Sequence, residues 1–111
     1  MTLADAASSM HLVQVLLPLY DANGTVFPRR HYDEAVREFT ARFGGVTAYT
    51  RAPATGLWEE ESGRTVRDDV VVYEVMVEIL DRAWWADCRA RLEARFAQDE
   101  IVLRSLAMEQ L

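Results

Sequence analysis

Hydrophobic and polar residues follow one another along this chain with two periods, one typical of β-strands and one typical of α-helices. Residues 11–19 are apolar at both alternating sets of positions, which predicts a central strand covered above and below. Between residues 29 and 43 the apolar positions recur every three or four residues. Pro28 precedes this run and Gly44 follows it, and because these residues suit the two ends of a helix, we predict a helix there.

Three more strands are predicted from the same patterns. Residues 46–51 and 101–108 have strand-like spacing, and residues 70–79 give the clearest strand pattern in the chain. The segment 52–69 contains proline and glycine, so we interpret it as a long loop, or as a hairpin extension that turns at Ser62-Gly63.

A second helix completes the set of predicted elements. Residues 82–96 repeat the helical spacing, and Asp81 before them is a suitable N-cap. The element order is therefore βαββαβ. Because strand–helix–strand crossovers are strongly right-handed, both helices are expected on one face of a four-stranded antiparallel sheet. This is the ferredoxin-like α+β arrangement, in which the strand order is 4-1-3-2 and strands one and three are central.

The length of 111 residues, half of them apolar, fits one globular domain. We predict a flexible N-terminal tail over 1–10 and a single domain over 11–111. The tail has neither the basic nor the apolar region of a signal peptide, and no apolar stretch approaches the ~18 residues of a membrane span. Cys88 is the one cysteine, which fits a reducing compartment. A cytoplasmic protein that does not bind a membrane is therefore expected.

Composition excludes several chemistries. All 12 basic residues are arginine, so a Schiff-base lysine and the lysine of a phosphate-binding P-loop are both impossible. The net charge of −6 argues against non-specific binding of nucleic acid. His31, Asp33 and Glu34 lack the spacing that places two metal ligands on one helix face, so no metal site is predicted. The arginine-only bias is typical of a GC-rich bacterial genome.

The third predicted strand leaves an apolar surface without a cover. Its odd positions from Val71 to Ile79 are all apolar and should meet the helices. Its even positions include Val72 and Met76 on either side of Glu74, and such a face is poorly suited to water. We therefore predict a homodimer in which two copies pack their open sheet faces together.

The same alternation places Leu12 of the first strand and several polar side chains on the predicted open face: Gln14, Thr47, Tyr49, Arg51, Glu74 and Arg104. Glu74 is the main catalytic candidate, because apolar surroundings would disfavour its charged form and suit a general base. Alternatively, it pairs with Arg51 or Arg104 and joins the two copies. Tyr49 is the second catalytic candidate, as a hydrogen-bond donor, or is simply a strand aromatic. Trp58 would cover the cavity or anchor the long loop. The predicted ligand-binding residues are Gln14, Arg51, Trp58, Met76 and Arg104.

The element order, together with the stretch GGVTAYTRAP at 44–53 and GLW at 56–58, resembles the dimeric α+β barrel superfamily. Its members include small cofactor-free oxygenases, isomerases and many uncharacterised proteins. The quoted stretch is similar to a segment of uncharacterised bacterial members. The resemblance implies a homodimeric barrel and no assigned reaction.

Three classes of function follow. The preferred one is a homodimer that binds or converts a small, partly apolar molecule without a cofactor. The second is a non-catalytic structural or regulatory module whose interface is filled by side chains. The third is a haem-binding protein, for which only His11 and His31 offer ring nitrogens, neither on the predicted cavity face. Whether the protein is an enzyme depends on whether the cavity is open.

Overall fold

The computed structural model describes the backbone of residues 10–59 and 65–111, and the side chains of residues 10–49 and 69–111. Within these ranges the chain forms four strands and two helices in the predicted order. The elements are β1 (Met10–Pro18), α1 (Arg29–Phe43), β2 (Thr47–Glu59), β3 (Thr65–Val77), α2 (Arg82–Arg95) and β4 (Leu103–Met108). Residues 1–9 of the predicted tail lie outside the described part, and Met10 already belongs to β1.

The four strands form one antiparallel sheet in the order β2-β3-β1-β4. This order is the predicted one, with β1 and β3 in the centre. The fold is therefore ferredoxin-like α+β. The β4 strand is shorter than predicted and begins at Leu103, although Ile101 before it is buried.

The hydrophobic core lies between the sheet and the two helices. Successive side chains of a strand point to opposite faces, so alternate residues of the central strands enter this core. The strands contribute Val13, Val15, Leu17, Val71, Tyr73, Val75 and Val77, and the rest of the chain contributes Ala35, Phe39, Trp85, Cys88, Leu92, Phe96 and Ile101. The prediction that Ile79 meets the helices is wrong. Its side chain is 82 % exposed, because β3 ends at Val77 and the alternation stops there.

Both helices end in ways that follow from their flanking residues. The helix α1 covers the predicted residues, and Gly44 closes it with a left-handed φ of 81° while its N–H donates to the Thr40 carbonyl at 2.9 Å. That conformation is strained for any residue with a Cβ. At the start of α2 the Asp81 carboxylate accepts from the Trp84 N–H at 3.0 Å, as its position predicted.

The second and third strands form a long hairpin. The predicted strand over 46–51 is too short, because β2 and β3 stay paired as far as Glu59 and Thr65. The hairpin-extension interpretation of 52–69 is thus confirmed for the described residues, whereas the proposed turn at 62–63 lies outside them. Between Tyr49 and Ala54 the pairing register shifts. Such an irregularity accommodates a proline, which cannot donate to the ladder, and Pro53 lies there.

Candidate functional site

The sheet face opposite the helices carries one polar row that crosses all four strands. Gln14 on β1 lies opposite Glu74 on β3 and opposite Arg104 on β4. On the other side of β3, Thr47 of β2 is the partner of Glu74. The register therefore places Thr47, Glu74, Gln14 and Arg104 side by side, on the face that strand alternation predicted for each of them.

Two hydrogen bonds connect side chains of this row, and a third joins Tyr49 to it. Gln14 Nε2 donates to Glu74 Oε2 at 2.7 Å, and the Tyr49 hydroxyl donates to Glu74 Oε1 at 3.0 Å. At the other end, Arg104 Nε donates to Gln14 Oε1 at 2.7 Å. These four residues, which we call the Glu74 network, form a continuous chain of hydrogen bonds across the sheet.

The arginine at one end of the network fixes the orientation of the amide in its middle. Because Arg104 can only donate, it selects the carbonyl oxygen of Gln14 and turns the amide nitrogen toward Glu74. Of the two arginines predicted to pair with Glu74, Arg104 does not bond to it directly, and the side chain of Arg51 lies outside the described residues. Arg104 acts on Glu74 through Gln14, because the register places Gln14 on the strand between them.

The surroundings of Glu74 are more polar than its neighbours in sequence predicted. Its side chain is half-buried, and both carboxylate oxygens accept hydrogen bonds. Val72 and Met76 lie on the same face, yet Met76 is 50 % exposed and does not enclose the carboxylate. Glu74 is thus held at a defined place by two donors and remains accessible from the open face.

The ionisation of the Tyr49 hydroxyl depends on its hydrogen-bond partner, Glu74. Its ring is 51 % exposed, and its hydroxyl is held by Glu74. The hydrogen bond to Glu74, and then the negative charge of that carboxylate, raise the pKa of Tyr49 above its ordinary value. The hydroxyl therefore stays protonated and keeps its role as a donor.

A groove of about 420 Å³ opens beside Glu74 at the start of β2. Its lining residues are Leu12, Phe43, Gly44, Gly45, Val46, Thr47, Glu74 and Met76. The lining is mostly apolar, with one carboxylate and one hydroxyl, a mixture typical of small-molecule sites. Strand alternation predicted Leu12, Thr47, Glu74 and Met76 on this face of the sheet. It placed Val46 toward the helices, and Phe43, Gly44 and Gly45 were missed. The signal for these was Gly44-Gly45, since two glycines between a helix and a strand leave backbone without side-chain cover.

Two predicted ligand-binding residues do not enter this description. The side chains of Arg51 and Trp58 lie outside the described residues, although both positions belong to β2. Of the remaining predictions, Gln14, Tyr49, Glu74 and Arg104 come together in the network, and Met76 lines the groove beside them.

The residues considered for metal or haem binding lie away from the groove. The His31 ring packs edge-on against Phe96 at 5.4 Å, on the helix side of the sheet. His11 is paired with Val77 on β3, so it belongs to the opposite alternation from Glu74. Within the described ranges, no group of three or more His, Cys, Asp or Glu side chains is placed to hold a metal ion. Nor does either described helix have the length and apolarity to cross a membrane.

Comparison with known proteins identifies structural neighbours and no sequence family. No family model matches the chain, and no curated protein matches it. A phage SAM lyase in complex with S-methyl-5'-thioadenosine is similar in structure, with a TM-score of 0.61 and 12 % identity over 94 % of this chain and 87 % of that one. The phage SAM lyase in its apo state gives a TM-score of 0.55 and 14 % identity over 100 % and 90 %. These similarities support the ferredoxin-like α+β fold.

Proposed function

We propose that the protein binds and converts a small, partly apolar molecule in the groove beside Glu74, without a cofactor. The observation that carries this proposal is the position of one carboxylate, held by two donors, in the wall of a mostly apolar groove. A volume of about 420 Å³ lies within the range of small-molecule pockets.

Glu74 is the proposed catalytic base of this site. A base must be accessible to the proton that it removes and must be held in one orientation, and Glu74 meets both needs. Tyr49 is the proposed catalytic donor, because its protonated hydroxyl can move from Glu74 to a polar group of the ligand. Gln14 and Arg104 orient the carboxylate. Met76, Arg51 and Trp58 are proposed to contact the ligand, Met76 through its place in the groove wall.

A homodimer formed through the open sheet face is part of the same proposal. Met76 and Leu106 are 50 % and 49 % exposed on this face, and Val102 is exposed beside them. A second copy packed on these side chains would remove apolar surface from water and would turn the open groove into a closed cavity. Closure would also strengthen each electrostatic interaction made by Glu74.

The first ligand to test is S-methyl-5'-thioadenosine, because the similar structure is a complex with it. This molecule combines a planar base with an apolar methylthio end, so it fits the partly apolar class. Isothermal titration calorimetry with the full chain should give a binding signal, and Glu74→Gln should weaken it about tenfold or more, as expected for a lost charged contact. Glu100→Gln, which changes an exposed carboxylate elsewhere, is the matched control.

Conversion is tested separately from binding. The wild-type chain and the two variants are incubated with SAM, and the mixture is followed by mass spectrometry. Turnover by the wild type and by Glu100→Gln, but not by Glu74→Gln, is the expected result. If the wild type binds neither molecule, and native mass spectrometry of protein from its own host finds no retained ligand, the proposed function is wrong.

The dimer has its own measurement. Sedimentation velocity should show a dimer for the wild type and a monomer for the double variant Met76→Glu/Leu106→Glu, since burying two carboxylates in an apolar interface is unfavourable. Val26→Glu changes an exposed apolar residue of the loop before α1 and should stay dimeric. A wild type that is monomeric at micromolar concentration would contradict the dimer.

The second candidate function is a non-catalytic dimeric module. It is favoured by the Glu74 network itself, whose members satisfy one another without a ligand. In that case Glu74→Gln would weaken the dimer in sedimentation velocity and leave every titration with a small molecule flat.

A further inference from the structure

A second groove lies on the helix side of the sheet, between α2 and the edge strand β4. Its volume is about 180 Å³. Trp85 and Leu103 provide apolar lining, and Arg82, Arg89, Arg104 and Ser105 provide polar lining. Arg104 is also a member of the Glu74 network, through the hydrogen bond that it donates to Gln14. It shares no lining residue with the groove beside Glu74.

The backbone along one side of this groove is free to pair with another strand. Among the described strands, β4 is an edge of the sheet and is bonded to β1 alone. The carbonyl of Val102 accepts from the Leu16 N–H at 3.0 Å, so the backbone groups of Val102 face β1. Because these groups alternate along an antiparallel strand, the N–H and C=O of Leu103 and Ser105 point away from the sheet. They form an open pairing edge next to the groove.

Two arginines on the helix side of the groove have no ion-pair partner among the described residues. Arg82 and Arg89 are seven residues apart on α2, which places them on one helix face about 10 Å apart along its axis. In the part of the chain that the structure describes, neither guanidinium makes an ion pair or a hydrogen bond. By contrast, Arg91 and Arg95, on the side of α2 toward α1, pair with Glu38 and Glu34.

The acidic residue directly before α2 is already engaged by other groups. Asp81 precedes Arg82 directly, but its carboxylate accepts from the Trp84 N–H at 3.0 Å and pairs with Arg42 at 3.2 Å. The described lining of the groove contains arginines and no aspartate or glutamate, so it is a local basic strip on a chain whose net charge is −6.

We propose that this groove binds an extended acidic peptide, which adds to β4 as a fifth strand. The peptide backbone pairs with the outward groups of Leu103 and Ser105, and its acidic side chains bind Arg82 and Arg89. Strand addition beside a helix is a recurrent way of recognising peptides, and guanidinium groups bind carboxylates through two parallel hydrogen bonds. Because every second side chain of a strand lies on one face, the acidic residues that face the groove stand at alternate positions of the peptide.

Charge decides against a second copy of this chain as the occupant of the edge. An edge-to-edge dimer would place β4 against β4, and its sequence, LRSLAM, holds one arginine and no acid. Arg104 lies on the opposite face of the sheet, so the groove side of a second β4 would offer Leu103, Ser105 and Ala107. That strand would leave Arg82 and Arg89 without an acidic partner. A peptide rich in glutamate or aspartate supplies the missing charge.

The probe is a fluorescein-labelled peptide of six residues that alternates glutamate and valine, titrated with the full chain and followed by fluorescence anisotropy. We expect saturable binding that weakens about tenfold in Arg82→Gln/Arg89→Gln, since two charged contacts are lost. The matched control is Arg30→Gln/Arg37→Gln, which removes two arginines at the same spacing from α1. It should bind like the wild type.

Two further measurements separate backbone pairing from simple charge attraction. Ser105→Pro removes an N–H that points away from β1, so the sheet keeps its hydrogen bonds while the pairing edge is blocked. Should this variant fail to fold by circular dichroism, the same peptide methylated at alternate amide nitrogens blocks the pairing from the ligand side. Either change should weaken binding about tenfold or more, an amount expected for several lost hydrogen bonds.

Several results would overturn the proposal. If a lysine–valine peptide binds as well as the glutamate–valine peptide, attraction of acidic side chains to Arg82 and Arg89 is not the basis of binding. Equal peptide affinities of Arg82→Gln/Arg89→Gln and Arg30→Gln/Arg37→Gln would show that this groove is not the binding site. A self-associating wild type that Ser105→Pro makes monomeric shows that a second copy occupies the edge. Glu74→Gln should leave peptide binding unchanged. A negative result for the peptide would therefore contradict this proposal without affecting the proposed small-molecule site.

Discussion

Gln14 and Glu74 face each other across β1 and β3, and the amide of the first donates to the carboxylate of the second at 2.7 Å. The donor is oriented by a third residue, because Arg104 occupies the carbonyl oxygen of the same amide. The carboxylate is thus positioned by residues on both of its neighbouring strands and by an arginine that does not touch it.

The energetic coupling between Gln14 and Glu74 can be measured in a double-mutant cycle of Gln14→Ala and Glu74→Ala. We expect a favourable coupling of about 1 kcal/mol in the free energy of unfolding, the usual size for a hydrogen bond to a charged group at a partly exposed site. Urea denaturation followed by circular dichroism measures all four proteins. The pair Gln14→Ala and Glu100→Ala, whose side chains do not meet, is the control. Strictly additive effects in both cycles would contradict the contact.

The second prediction concerns the ionisation of Tyr49. The hydrogen bond to Glu74 and the charge of that carboxylate disfavour the phenolate, so the pKa of Tyr49 lies above its ordinary value. Replacing Glu74 by glutamine removes the charge, and the pKa of Tyr49 should fall toward that of a free tyrosine. A pH titration of the Tyr49 ring signals by NMR measures the change. Glu78→Gln, which alters an exposed carboxylate just beyond β3, should have no effect, and an equal midpoint in wild type and Glu74→Gln would refute the assignment.

Much of this fold follows from alternation and end signals alone. The predicted limits of α1 match the structure because Pro28 and Gly44 mark both ends. The predicted faces of β1, β3 and β4 match as well, since the buried set of each central strand is uniformly apolar. Where such a signal is missing, the prediction fails. Ile79 continues the apolar alternation in sequence, yet β3 has already ended before it.

The sequence predicts which residues belong to the candidate site better than it predicts which of them are hydrogen-bonded to one another. Alternation brings Gln14, Glu74 and Arg104 to one face, but which of them bond depends on register, which a single-residue slip reverses. The sequence suggested a direct pair between opposite charges, whereas the structure places an amide between them. The composition of the segment beyond Tyr49 is also typical of a loop, because it includes proline and glycine. The hydrogen bonds of the β2–β3 hairpin join residues of two different strands, so no local sequence pattern reveals them.

Gly44 and Gly45 form a matched pair for the third prediction. A Cβ at either position would meet no atom within 4 Å, so steric crowding is absent at both. Gly44 has a φ of 81°, whereas Gly45 does not adopt the left-handed region. Gly44→Ala should therefore lower the free energy of unfolding by about 1 kcal/mol, and Gly45→Ala should be neutral or slightly stabilising. Thermal and urea unfolding measure both, and equal losses would show that backbone strain is not the cause.

The fourth prediction is a loss of stability in alkali that originates in the core. Burial raises the pKa of Cys88 from 9.0 to about 11, and burial, with Tyr73 as a lesser cause, raises the pKa of Tyr32 from 10.0 to about 12. The unfolded chain loses these protons at lower pH than the folded chain. The stabilisation from Cys88 is therefore complete below pH 9 and disappears as the pH rises through 11, a loss of roughly 2–3 kcal/mol in the free energy of unfolding. Urea titrations between pH 8 and about 11 should show this decline, and Cys88→Ala should reduce it while the exposed Tyr20→Phe leaves it unchanged. If Cys88→Ala retains the full slope, ionisation of the buried thiol is not its source.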